Sequence, residues 1–372
     1  MRMWYIYNRI STYVKRVLIR GEKNLLTERQ GEILRLIIQN YTTTGQPVGS
    51  KTLMEAGIGA SSATIRNEVK LLEEHELLAK PHSSSGRVPS MKGYRYYVDH
   101  LLQPVEVNPE EVRSIRQGLG KEFHEINEII QQSATILSNL TSYTALSLGP
   151  DVNERRLTSF KMVPLNHRQV VAIIVTDKGN VENQVFTLPK NIRSEELAIM
   201  VRIINDRLIG EPLITVYHRL RTEIPMILHK YFQTTDGILE LFESMLNHLF
   251  EERIYVGGRM NLLDFEPNQD KLQFKSMYSF MKNPEELTQL LAPRDSLIRI
   301  KIGSELGNDL LQNMSLIQGS YAIQGHGHGT IALLGPSNMP YSKMFGLVDL
   351  FRRELSVKLA DYYRELDLGS ET

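Results

Sequence analysis

The chain has 372 residues, with 43 Lys/Arg balancing 43 Asp/Glu, 41% hydrophobic residues and no cysteine. That length exceeds one small domain and suffices for two or three with cores of their own. Without cysteine, disulfides, thiol redox sensing, iron–sulfur clusters and cysteine-rich zinc sites are excluded; no apolar run or signal-peptide pattern points to a membrane or export, so a cytoplasmic protein is expected.

The zero net charge hides an uneven distribution. Residues 1–24 carry six Lys/Arg and one acidic residue, whereas residues 25–100 carry nine and eight. In the first segment Ile6, Ile10, Val14, Val17 and Leu18 recur at helical spacing between Arg9, Lys15, Arg16 and Arg20, the pattern of a basic amphipathic helix able to meet DNA or an anionic surface.

The next elements form an ordered series. Thr27-Glu28-Arg29-Gln30 is a capping-box signature, and Ile33, Leu34, Ile37, Ile38 and Tyr41 give the helix behind it one apolar stripe. Gly45-Gln46-Pro47-Val48-Gly49 must end it. Ser50 is expected to cap a short helix over residues 51–56. Gly57-Ile58-Gly59-Ala60 then supplies a turn with two glycines free for positive φ and Ile58 as an apolar plug. A third helix, capped by Ser61 or Ser62 and running to about His75, buries Ile65, Val69 and Leu72 and leaves Thr64, Arg66, Asn67 and Lys70 outward. Two short strands, residues 77–80 and 87–89, flank Pro81-His82-Ser83-Ser84-Ser85-Gly86.

This is a helix-turn-helix with a wing, and its outward residue types suit DNA. Arg forks onto guanine and Asn onto adenine, while Ser, Thr and Lys reach phosphates. A helix N-terminus adds unpaired amides for a phosphate. The expected contacts with double-stranded DNA are Ser61, Ser62, Thr64, Arg66, Asn67 and Lys70 on the helix, and His82, Ser83, Ser84, Ser85 and Arg87 on the wing. Taken singly each piece is an ordinary polar surface; the ordered set is what points to DNA.

Beyond the wing, residues 94–102 read as a helix and residues 103–109 as a linker. A long helical pattern covers 110–140. Strands are expected at 143–148, 157–163, 169–176 and 181–187, the third closed by the turn Asp177-Lys178-Gly179-Asn180. Helices follow at 194–208 and 222–250, an extended run at 254–263 and a helix at 269–281. Strands return at 297–302, 314–323 and 329–334, and a helix closes the series at 341–359. A sheet interrupted by a helical block and then resumed suggests an inserted domain.

Three segments in order, Ser61-Ser62-Ala63-Thr64-Ile65-Arg66-Asn67-Glu68, Pro81-His82-Ser83-Ser84-Ser85-Gly86-Arg87-Val88-Pro89 and Lys92-Gly93-Tyr94-Arg95-Tyr96-Tyr97-Val98-Asp99, resemble the signature of the bacterial heat-inducible transcription repressor HrcA family. Gly329-Thr330-Ile331-Ala332-Leu333-Leu334-Gly335-Pro336 is similar as well. The resemblance runs from about Leu26 to Leu359. The wing tip departs slightly, with Ser85 where the family commonly has alanine. The resemblance implies a homodimeric repressor of chaperone operons that binds a CIRCE-type inverted repeat, is kept active by the chaperonin and fails on heat stress. It also implies an α+β fold: a winged helix-turn-helix, a GAF-like α/β domain, and a mainly helical dimerising domain inserted into the latter.

The expected division is residues 25–103 for the DNA-binding domain, 104–189 with 295–372 for the GAF-like domain, and 190–294 for the insertion. Because the family pattern begins near Leu26, residues 1–24 are expected to be an overextended reading frame. No enzyme, cofactor or metal is expected. Gly325-His326-Gly327-His328-Gly329 could place two histidines on one strand face, but no carboxylate clusters with them and a hairpin tip is the plainer reading. The glycines lack the spacing of a phosphate loop, and the serines lack a nucleophile elbow. The remaining alternative is a ligand-responsive winged-helix regulator with the GAF-like domain as sensor.

Overall fold

The computed structural model describes residues 26–81, 86–123, 125–150, 155–177, 181–188, 194–228, 254–265, 271–291, 297–324 and 327–369. The N-terminal segment of basic amphipathic pattern, the turn after Asp177, His326 and the wing-tip residues His82, Ser83, Ser84 and Ser85 therefore lie outside the described residues.

Helix α1 (Glu28–Thr44) starts at the expected capping box: Thr27 accepts from the Gln30 amide while the Gln30 side chain accepts from the Thr27 amide. It ends at Gly45, whose φ of 66° is a left-handed cap. In α2 (Ser50–Glu55) the cap is Gly49, and Ser50 is already the first helical residue. Gly57 takes a φ of 97°, whereas Gly59 does not need a positive φ, and Ile58 is buried between the helices as expected. Helix α3 (Ser62–Glu74) buries Ile65 and Leu72 completely and Val69 partly. Strands β1 (Leu78–Ala79) and β2 (Val88–Pro89) pair antiparallel and complete the winged helix-turn-helix.

Helix α4 (Met91–Tyr96) continues into a π-turn, Tyr97–Leu101. The chain then forms α5 (Pro109–Leu119) and α6 (Ile126–Thr141). The single long helix expected over 110–140 is thus broken, with Gly120 the C-cap of α5 and the apolar face beginning afresh at Ile126.

Two sheets follow. In the five-stranded antiparallel sheet the order is β7 (Ile254–Gly257), β3 (Thr144–Leu148), β10 (Gly327–Pro336), β9 (Met314–Ile323), β8 (Ile298–Ile302). Helices α6 and α11 (Tyr341–Gly369) pack on one face. Helices α9 (Lys271–Phe280) and α10 (Pro284–Leu291) bury Met277, Phe280, Leu287 and Leu291 against Leu146, Leu316, Ala332 and Leu334 on the other. This is the GAF-like α/β unit.

Strands β4 (Leu157–Pro164), β5 (Gln169–Thr176) and β6 (Val181–Thr187) pair only with one another. They were expected in the GAF-like domain. Their apolar residues Phe160, Val170, Ala172 and Ile174 instead share a core with Met200, Ile204, Val216 and Ile224 of α7 (Ser194–Leu208) and α8 (Leu213–Leu228). Asn205 pins α7 to β4 by bonding both backbone groups of Phe160 at 2.8 and 2.9 Å. Strand pairing therefore shifts the expected insertion toward the N-terminus. The described residues 155–177, 181–188 and 194–228 form a unit, while β7, α9 and α10, expected within 190–294, cover or join the main sheet.

The winged helix is not tethered loosely. One continuous core runs from Leu26 and Ile33 through Tyr94 and Tyr97 to Tyr341, Phe351 and Tyr363. Arg95 on α4 bonds Asp99 at 2.7 and 2.9 Å, the Ile300 carbonyl at 2.9 Å and Glu305 at 3.0 Å. The Tyr97 hydroxyl meets Ser342 at 2.8 Å. Orientation of the DNA-binding unit is thereby fixed on the GAF-like body.

Candidate nucleic-acid interface

The N-terminus of α3 is built by Ser61, whose Oγ accepts from the Thr64 amide at 3.2 Å and lies 2.9 Å from Thr64 Oγ1. Both hydroxyls serve the cap first. Ser62 Oγ meets Ser50 Oγ at 3.1 Å, and Arg66 Nε approaches the same Ser50 oxygen at 3.4 Å. Ser50 is therefore a link between α2 and α3 rather than a cap, a role sequence spacing alone does not reveal.

On the outward face Arg66, Asn67 and Lys70 are exposed, as the helical period predicts, whereas Thr64, expected outward with them, is half-buried beside the cap. Lys70 lies 3.5 Å from Glu74 with 74% of its side chain in solvent, a pair that water and salt weaken readily. The other acids of α3 are engaged on its flanks. Glu68 accepts from Gln30 at 3.0 Å and faces Arg29, while Glu73 is held by Arg87. This arrangement explains how a nearly neutral domain presents a cationic helix face.

Arg87 is placed differently from its expected role. Its Nε and one terminal nitrogen both meet Glu73 Oε2 at 2.8 Å, and its side chain is only 18% exposed. Its backbone forms a two-way bridge with Val48 at 2.9 Å. A Cβ on the preceding Gly86 would stand 2.8 Å from the Pro47 carbonyl, so the wing base must approach the α1–α2 turn without a side chain there. At the other side of the wing, Lys92 bonds Glu76 at 2.9 Å and holds its carboxyl below the usual range. Glu76 itself has a φ of 63°, turning the chain from α3 into β1. Ser90 caps α4 and reaches back to this turn through the Glu76 carbonyl.

Among the described residues no group of three or more His, Asp or Glu is arranged to hold a metal ion, and no helix is long and apolar enough to cross a membrane.

The chain is similar to known proteins over most of its length. Residues 127–345 match the family model described as the HrcA protein C terminal domain. A heat-inducible transcription repressor HrcA of Enterococcus faecalis (strain ATCC 700802 / V583) is 68% identical over 345 residues, covering 92% of this chain and 99% of the relative. The repressor of the same name from Tetragenococcus halophilus is 67% identical over 343 residues, with the same coverage of both chains. A crystal structure described as a hypothetical protein at 2.2 Å resolution shares the fold, with a TM-score of 0.57 at 22% identity over 90% of this chain and 99% of that one. The relatives are regulators rather than enzymes, and the chain belongs to the HrcA family of heat-inducible transcription repressors.

Proposed function

We propose that the protein represses chaperone operons as a homodimer, with α3 of each protomer in the major groove of one half of an inverted-repeat operator. Arg66 and Asn67 read base edges; Lys70 and the amides at the start of α3 contact phosphates. The observation that carries this reading is the exposed row Arg66, Asn67, Lys70 on a capped helix whose acids Glu68 and Glu73 are tied up elsewhere. Residues 82–85 follow the backbone or adjacent minor groove, and Arg87 acts as the strut that sets the wing against α3. The unit of residues 155–228 provides the dimer contact. Two-fold symmetry of the protein then matches that of the repeat.

The chaperonin keeps the repressor competent, and heat removes repression by depleting free chaperonin or by unfolding the chain. Binding of purified protein to a full repeat, a half-site and a scrambled duplex, with and without chaperonin, tests this. Tight binding to the full repeat that survives heating only with chaperonin supports the reading. Equal binding to all three duplexes refutes operator specificity, and indifference to heat and chaperonin refutes the regulatory part.

A further inference from the structure

On the face of the five-stranded sheet that α9 and α10 cover, the apolar core gives way to a polar corner. Gln318 stands opposite Arg299 of β8, and Ser320 opposite Thr330 of β10, so cross-strand register puts all four side chains on one face. That this is the same face as the α9–α10 core follows from Leu316, two residues from Gln318, and Leu334, four residues from Thr330, which pair with each other in the same alternation. Lys301, also on this face, donates to the Leu290 carbonyl at the end of α10.

Two of the four carry an unmet need. Gln318 and Thr330 are 2% and 0% exposed, yet neither Gln318 Oε1 nor Thr330 Oγ1 has a hydrogen-bond partner. Buried polar atoms are nearly always paired, because leaving one unpaired forfeits its hydration without return. Arg299 is half-buried beside them, with no ion pair to any described residue. Moreover, the five strands contain no Asp or Glu, and Arg299 and Lys301 are their only Lys/Arg. Within the strands themselves, therefore, no acid stands against Arg299.

We propose that Arg299, Gln318, Ser320 and Thr330 form a binding site for a small carboxylate-bearing molecule. The guanidinium fork of Arg299 suits the two oxygens of a carboxylate. The Thr330 hydroxyl can donate to an oxygen of the same ligand, Gln318 Oε1 accepts from a hydroxyl or amine on its body, and the neighbouring leucines accommodate its apolar part. Gln318 and Thr330, deep in the sheet, select a polar ligand of few carbons over a long chain. Occupancy would stiffen the body to which Arg95 ties the DNA-binding helices.

The test is the thermal midpoint of the purified full-length protein with acetate, pyruvate, succinate or citrate, each against chloride and sulfate at equal ionic strength. At least one carboxylate should raise the midpoint saturably, by about 5 °C or more at high occupancy, with sulfate and chloride inert. Arg299→Gln and Thr330→Val should each abolish the shift while leaving the unliganded midpoint and operator binding near wild type. Thr330→Val keeps the shape and removes only the unpaired hydroxyl, so its fold is safe. No shift with any carboxylate, an equal shift with sulfate, or a shift that survives both substitutions overturns the site. Operator binding by the same preparation reports on the repressor reading separately.

Discussion

Replacing Arg87 by alanine distinguishes a strut from a DNA contact. Two guanidinium nitrogens converge on Glu73 Oε2 at 2.8 Å, with the partners 18% and 33% exposed. Charge-assisted hydrogen bonds of this kind contribute about 1.5–3 kcal/mol when sheltered. Discounted for partial exposure, the strut is worth about 1–2 kcal/mol. Operator affinity should fall by up to about tenfold as the wing loosens from α3. The assay is operator binding measured across a salt series. A phosphate contact, once removed, lowers the slope of log affinity against log salt by about 0.9, whereas loss of a strut leaves the slope unchanged. Glu73→Ala sharpens the distinction. Bulk electrostatics alone would have it tighten DNA binding; the strut requires it to weaken binding about as much as Arg87→Ala, with the double variant no worse than either single. A reduced slope for Arg87→Ala, or tighter binding by Glu73→Ala, would refute the reasoning.

Gly93→Ala should destabilise the protein on the order of 3 kcal/mol, since its Cβ would sit 2.0 Å from the Leu77 carbonyl oxygen, and denaturant unfolding measures it. Gly59→Ala, with nothing within 4 Å of the added methyl, is the control and should stay within about 0.5 kcal/mol. Tyr94 has a buried hydroxyl without a partner, so Tyr94→Phe should be neutral or stabilising by about 1 kcal/mol; a loss of more than that in chemical denaturation would mean the hydroxyl is satisfied. Burial pushes the Tyr94 and Tyr341 phenols above their ordinary value of 10.0, so the folded state holds the proton that the unfolded chain releases. Their contribution is intact below about pH 10 and declines as pH rises beyond it. Stability followed into alkali should therefore fall above that point, less steeply in Tyr94→Phe; an identical alkaline limb in the variant would contradict the assignment.

Periodicity carries information about faces, and there the sequence was legible. The stripe Ile33, Leu34, Ile37, Ile38 is buried, and Arg66, Asn67 and Lys70 are exposed, because both follow from 3.6 residues per turn. Strands 169–176 and 181–187 and the helix at 194–208 were likewise readable from alternation and helical spacing. Partnership is another matter. Nothing in the alternation of β5 says that it joins β4 and β6 in a separate sheet, since a strand half-buried against α7 alternates like one half-buried in the GAF-like unit. A basic residue at the wing base suggests DNA, and only the fold reveals that Glu73, fourteen residues earlier, claims Arg87. The break after Leu119 escaped because a single glycine is tolerated in many helical patterns, and α10 because eight residues are too few to establish a period.

Base reading by α3 is what sets an operator-specific repressor apart from a general DNA binder. It is tested most directly by substituting each base pair of one operator half-site in turn and measuring the affinities of wild type, Arg66→Ala and Asn67→Ala. Each variant should lose about 1–3 kcal/mol on the intact operator and become indifferent to the base at one position, with affinity for random duplex unchanged. Equal weakening on every duplex, random DNA included, would place both residues on phosphates and contradict the claim.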